Sequence, residues 1–282
     1  MNLAARDAYL SNGDDSGTLK FRYTNPVLGL RWLVAPGLNI HASAARGFES
    51  PTLGELAYRP SGAAGLNDAL KAQKSTQMEV GAKWRAEGVQ ADLSIFESHI
   101  TDEIGVATNA GGRATFQNIG RTLRRGAELA AAWRPAAGWR TAVSATWLDA
   151  SNRDGFLTCV AIPCTVATLK IPAGNRIAGT QRGNLWAELA WGEWGFETRA
   201  VARTAVNDSN TDYAPRYSTS ALRWTHRFVL GESTQLELLA RVDNLFDRRY
   251  AGSVIVNDGN GRYFETGAPR SALLALRLIG KP

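Results

Sequence analysis

The feature that most limits how this chain can fold is its strict alternation of apolar and polar side chains, in blocks of roughly ten residues. Met78, Val80, Ala82 and Trp84 share one parity, while Gln77, Glu79, Lys83 and Arg85 share the other. Val89, Ala91, Leu93 and Ile95 then alternate with Gln90, Asp92 and Ser94, and Leu236, Leu238, Ala240 and Val242 with Gln235, Glu237 and Arg241. Neighbouring side chains of a strand point to opposite faces, so each block reads as a strand with one apolar and one polar face. Blocks of this kind recur along the chain, in Leu28–Val34, Leu38–Ala44, Ala127–Trp133, Trp139–Trp147, Leu185–Trp191, Phe196–Ala202, Leu222–Phe228 and Leu274–Leu278. With a partial strand near residues 1–10, the count predicts about twelve strands in an all-β, antiparallel protein.

The connections carry the next constraint. Short turns near residues 36, 87, 136, 193 and 231 alternate with long polar segments at about 46–74, 98–120, 150–181, 207–215 and 244–270. A soluble sheet with one wet face has no reason to gather every long connection at one end. A transmembrane β-barrel does, and strands of about ten residues cross a bilayer at a tilt of about 45°. Trp32, Trp84, Trp133, Trp139, Trp191 and Trp194 lie within a few residues of the short turns, where an interfacial aromatic girdle belongs. The chain holds no run of eighteen apolar residues, which excludes a membrane-spanning helix and leaves a barrel open.

Composition removes other function classes. The net charge of +6 is spread over many segments, so nothing resembles a nucleic-acid-binding patch. The histidines are His41, His99 and His226, and none pairs with a nucleophile or with cysteines at metal-ligand spacing. Glu49 and Glu55 make no convincing acid–base pair, so no catalytic, metal or cofactor site is expected and the chain reads as a non-enzyme. Cys159 and Cys164, in Cys-Val-Ala-Ile-Pro-Cys, read as a loop disulfide in an oxidising compartment in preference to free thiols. The first residues have neither the basic nor the apolar region of a signal peptide.

Four segments carry a family resemblance. Arg46-Gly47-Phe48-Glu49-Ser50-Pro51-Thr52-Leu53-Gly54-Glu55-Leu56 is followed by Gly65-Leu66-Asn67, Leu70-Lys71 and Ser75-Thr76-Gln77-Met78-Glu79-Val80-Gly81. Ile171-Pro172-Ala173-Gly174-Asn175-Arg176-Ile177 precedes Gln181-Arg182, with glutamine where proline is usual. Asn244-Leu245-Phe246-Asp247-Arg248-Arg249-Tyr250 precedes Gly267-Ala268-Pro269-Arg270. In this order and spacing the chain resembles the C-terminal half of a TonB-dependent outer-membrane receptor, of the siderophore-receptor-like branch and, more narrowly, of the pyrroloquinoline-quinone uptake type.

The resemblance implies the later part of a 22-stranded barrel, the size class with a plugged lumen. It implies a Gram-negative outer-membrane protein that imports a scarce, bulky substrate such as a ferric siderophore or other metal chelate. The implied partners are the TonB–ExbB–ExbD complex (through an N-terminal region), outer-membrane lipid and lipopolysaccharide, and the barrel assembly machinery. The plug, the TonB box, a signal peptide and a terminal aromatic residue are not found in residues 1–282, so the chain reads as a fragment. A self-contained twelve-stranded passive channel is the competing expectation, and it requires residues 1–10 to pair with 270–279. Arg59, Arg113, Arg262 and Tyr263 are the candidate substrate contacts, because guanidinium and phenol groups suit carboxylate or catecholate ligands. Asn244, Leu245, Phe246, Asp247, Tyr250, Pro269 and Arg270 are expected to be structural, with Asn244 and Asp247 bonding nearby backbone and Phe246 and Tyr250 packing the loop down.

Overall fold

The computed structural model of the chain describes residues 2–5, 17–63, 65–110, 113–159, 163–231 and 233–280. One sheet of eleven strands dominates it, each hydrogen-bonded to its neighbours in sequence and all antiparallel. We number them β1 (Val27–Ala35), β2 (Leu38–Glu49), β3 (Gln73–Ala86), β4 (Val89–Ala110), β5 (Arg113–Trp133), β6 (Trp139–Asn152), β7 (Gly183–Trp191), β8 (Trp194–Val201), β9 (Tyr217–Val229), β10 (Thr234–Asp243) and β11 (Ser271–Gly280).

The register keeps the expected parity across the sheet. Trp32 lies opposite Ile40, Ile40 opposite Ala82, Ala82 opposite Leu93, and Leu93 opposite Leu129, so one apolar row crosses five strands. A slip of one residue anywhere would turn such a row to the other face, which is why the alternation specifies the pairing so strongly. Leu30, Trp32, Val80, Ile95, Trp133, Leu189, Trp191, Leu274, Leu276 and Leu278 are nonetheless exposed. A water-soluble protein has no use for so continuous an apolar face, whereas lipid tails cover it without cost. The short-turn end carries paired indoles: Trp139 and Trp191 lie 5.9 Å apart by ring centroid, and Trp194 and Trp224 6.4 Å.

The structure corrects several expectations. Among the described residues the wall has eleven strands, against an expected count of about twelve. Residues 2–5 pair with residues 17–20 in a separate ribbon, and the rest of the strand expected near 1–10 falls outside the described residues. Among the described residues β1 pairs with β2 alone and β11 with β10 alone, so the pairing needed for self-closure is not made. All nine residues of β1 are exposed, as befits an open edge. Residues 98–120 are not a loop either. β4 and β5 run on for 22 and 21 residues as one long hairpin, far more than a bilayer crossing needs. Their register shifts between Ile100 and Glu103, where Asp102 has φ 55°, so a bulge marks the point at which the ribbon leaves the belt.

The buried core is small and sits at the long-loop end. Leu56, Leu66 and Leu70 pack with Leu19, Ile104 and Phe116. Leu56 closes a one-turn helix, α1 (Leu53–Leu56), which starts at a capping box: Glu55 N–H donates to Thr52 Oγ1 at 3.3 Å, and Thr52 N–H donates to Glu55 Oε2 at 2.7 Å. The Glu55 carboxylate is thereby committed to folding, and Glu49 accepts a hydrogen bond from Gln73. A disulfide joins Cys159 to Cys164 beyond the small ribbon formed by Phe156–Thr158 and Leu169–Ile171.

Candidate functional site

The chemistry-bearing side chains fall into two zones, the polar inner face of the wall and the long-loop end. On the inner face, opposite charges on adjacent and next-but-one strands pair with one another. Glu188 on β7 receives Arg223 of β9 at 2.7 Å and also Arg140 of β6, and its side chain is 2% exposed. Glu197 on β8 takes both arms of Arg241, at 2.8 and 3.1 Å, while Arg241 Nε reaches Asp243 at 2.8 Å. His41 meets Glu79 at 3.1 Å. Higher up, Arg124 is bidentate on Glu103, and Thr122 also donates to Glu103. Parity alone assigns these residues to the polar face; which ones pair follows only from the register. The pairs tie neighbouring strands of the wall together and compensate the charges that take part in them.

At the long-loop end, residues 50–72 are sewn to the protruding β4–β5 hairpin. Asn118 accepts from Lys71 N–H at 2.8 Å and donates to Lys71 O at 2.9 Å and Asp102 O at 2.7 Å. Asn67, itself buried, donates to Phe116 O at 2.9 Å. Against this platform lies a cavity of about 440 Å³ lined by Arg59, Ser61, Asn67, Asp68, Phe116 and Gln117 among others.

The four candidate contacts divide into pairs. Arg113 lies over the ring of Tyr58, 4.8 Å from its centroid, so Arg113 and the Tyr58–Arg59 segment form one cationic–aromatic patch. Tyr58 was not expected from sequence; an aromatic beside an arginine in a polar loop was the available signal. Arg59 is partly spent on the loop itself, donating from Nε to Leu66 O at 2.7 Å and meeting Asp68 at 3.3 Å. Arg262 and Tyr263 lie near the tip of a different ribbon, Ala251–Val254 with Phe264–Thr266, where Arg262 N–H donates to Asp258 at 2.7 Å and Tyr263 O accepts from Ile255.

Two loop carboxylates respond to their surroundings in opposite senses. Arg121 grips Asp154 through Nη2 at 2.7 Å and through its backbone N–H at 2.8 Å, and the hydrogen bond from the guanidinium holds the Asp154 carboxyl down at about 2. Asp208 is raised, chiefly by burial. It anchors a knot between loops, since Asn257 donates to its carboxylate at 2.8 Å and Asn175 to its carbonyl at 2.8 Å, while Asn210 accepts from Arg176 N–H at 2.7 Å.

The segment 244–250 is a staple. Asn244, at φ 47°, donates to Arg248 O at 2.9 Å and Ala268 O at 3.1 Å and accepts from Arg248 N–H at 2.9 Å. Asp247, at φ 51°, accepts from Arg270 N–H at 3.0 Å. Left-handed backbone is tolerated best by Asn, Asp and Gly, which explains those residue types. The Tyr250 and Tyr217 rings pack tilted, 4.6 Å apart by centroid, and a Cβ on Gly267 would lie 2.3 Å from the Tyr250 ring, so the chain can pass there only as glycine. Phe246 departs from expectation: the reversal at Asn244 turns it outward, 62% exposed, and it does not pack the loop.

An antiparallel wall with an apolar outer face, an ion-paired inner face and its long excursions at one end defines a transmembrane β-barrel segment. The chain belongs to the TonB dependent receptor-like, beta-barrel family, whose model matches residues 2–245. It is 27% identical over 269 residues to the vitamin B12 transporter BtuB of Vibrio vulnificus, covering 93% of this chain and 38% of that protein. It is 26% identical over 203 residues to the pesticin receptor of Yersinia enterocolitica, covering 68% of this chain and 28% of that one. The siderophore receptor PiuA of Acinetobacter baumannii shares the fold at TM-score 0.70 and 16% identity, over 97% of this chain and 38% of PiuA. The chain thus spans well under half the length of these relatives. None of those named here is a pyrroloquinoline-quinone receptor, and the narrower resemblance gains nothing from them.

Proposed function

We propose that residues 1–282 supply the later wall strands and external loops of a TonB-dependent importer in a Gram-negative outer membrane, taking up a scarce, bulky substrate such as a ferric siderophore or another metal chelate. The observation that carries this reading is family membership over residues 2–245, in a chain whose long connections gather at one end beside a cationic–aromatic patch. A B12 transporter and siderophore receptors among the relatives support the substrate class. The family supports TonB as the energising partner, with the TonB contact lying in a plug-bearing N-terminal region. The reading assigns the chain binding and passage, with no covalent step.

Arg113 with Tyr58 is the first substrate contact under this proposal, the neighbouring Arg59 lines the cavity against the β4–β5 hairpin, and Arg262 and Tyr263 form a second contact. Deleting the gene in its host and measuring uptake of labelled ferric catecholate, ferric hydroxamate and cobalamin tests the reading. One of the three should lose its energy-dependent uptake and regain it on complementation. Unchanged uptake of all three, with and without a protonophore, would overturn the proposal. Arg113→Ala should weaken binding of an anionic chelate by about tenfold, the scale of one charge-assisted contact.

A further inference from the structure

Two residues break the pattern of the wall, and the register sets them face to face. Eight of the nine tryptophans stand on the outward parity, in or beside the apolar rows. Trp186 is the exception: it lies on β7 two residues from Glu188, and so on the polar inner face. The arginines show the converse. On the bilayer-crossing parts of β2 to β10, the inner-face residues Arg85, Arg124, Arg140, Arg223, Arg227 and Arg241 each hold a carboxylate. Arg199, two residues from Glu197 on β8, is exposed and among the described residues meets neither a carboxylate nor a ring. Glu197 itself is taken by both arms of Arg241. Trp186 and Arg199 are direct partners in the β7–β8 pairing, which brings their Cβ atoms to about 5 Å. One row nearer the long loops, Val201 stands opposite Tyr217, whose ring packs against Tyr250. Aromatic surface thus leads down from the loop end to an open guanidinium.

We infer that Trp186 and Arg199 form a subsite on the inner wall for an anionic, ring-bearing chelate, of catecholate or aryl-carboxylate type, that has left the loops. The chemistry follows from the pair. An indole on a wet face offers a flat surface on which a planar ring stacks. A guanidinium without a carboxylate beside that indole takes the negative oxygens of the same ring, two at a time. A neutral chelate gains nothing from the guanidinium, so the pair selects by charge during passage, where the loop contacts select on arrival. The inference rests on the proposal that the chain is part of an importer, and it narrows the cargo of that importer to anions.

The test uses the receptor expressed from its own gene in its host, with variants compared at equal surface level. Radioactive iron is supplied as a trianionic tris-catecholate and as a neutral tris-hydroxamate, and labelled cobalamin serves as a third probe. Binding to cells de-energised with a protonophore reads the loop contacts; uptake by energised cells reads passage. Arg199→Ala and Trp186→Ala should each lower energised uptake of the tris-catecholate about tenfold, the scale of one charge-assisted or stacking contact. Binding to de-energised cells should stay within about twofold of the parent, well under the effect of one lost contact. Arg199→Lys, which keeps the charge, should retain most of the uptake, and Arg199→Glu should abolish it. Lys83→Ala removes an inner-face cation from another part of the wall and should behave like the parent. Parental uptake in Arg199→Ala, or equal loss in Lys83→Ala, would overturn the inference. So would a fall in thermal stability with equal loss for every cargo carried, the mark of an arginine that pairs with a carboxylate packed inside the barrel. A parent that imports a neutral probe and no catecholate leaves the importer reading standing and removes the subsite. A parent that imports none of the three removes both.

Discussion

Asn244 shows how much one side chain can organise in this protein. It is buried, sits at φ 47° and satisfies groups in Arg248 and Ala268, on the two segments that flank the last long loop. Asn244→Ala leaves those backbone groups unpaired and imposes left-handed strain on a Cβ-bearing residue, so a loss on the order of 2 kcal/mol is expected in the urea-unfolding midpoint in micelles. Glu188 is a second such residue. Removing it leaves Arg140 and Arg223 facing each other without an anion, and Glu188→Ala should cost about 3 kcal/mol, against under about 1 kcal/mol for the more exposed Arg227→Ala. Asp154 offers a pH readout. Its pKa is depressed to about 2, so it stabilises the Arg121–Asp154 junction above the usual carboxylate pKa of about 4, and that contribution disappears as pH falls towards 2. Hydrogen exchange of residues 119–123 should accelerate across that window in the parent protein and show no such step in Asp154→Asn.

At the scale of elements, the β4–β5 hairpin and the 50–72 segment behave as one unit. Asn118→Ala strips the two hydrogen bonds that join them at Lys71 and a third, to Asp102, within the hairpin, a loss of about 2 kcal/mol locally, and tryptic cleavage after Lys71 should quicken by about thirtyfold. The bilayer-crossing parts of these strands were legible in the sequence because lipid on one side and a polar interior on the other impose period two on every residue. The extensions beyond the belt were not. Ile104, Val106 and Phe116 obey no single parity with Asn109, Gln117 and Asn118, because the hairpin there meets water, another loop and a small core at once. The candidate contacts were half legible for the same reason. Composition marked the arginines, but only the fold shows that Arg59 bonds its own loop while Arg113 lies on Tyr58.

For the whole molecule, the two edges that are unpaired among the described residues decide behaviour. Lipid offers no partner to the backbone of β1 or β11, and unsatisfied peptide groups there cost several kcal/mol each. The polypeptide of residues 1–282, refolded alone into vesicles, should therefore give no steady conductance and no heat-modifiable band on a gel. Supplying strands that pair with both edges should restore both. The direction of the chain sharpens this. Ten consecutive antiparallel pairings leave β1 and β11 running the same way, from loop end to turn end. A ring closed directly between them would contain one parallel seam, with slanted hydrogen bonds out of step with every other joint. Only an odd number of additional strands cancels the mismatch, so any ring built on this arc has an even total, an arithmetic rule read from an arc that does not close on itself among the described residues.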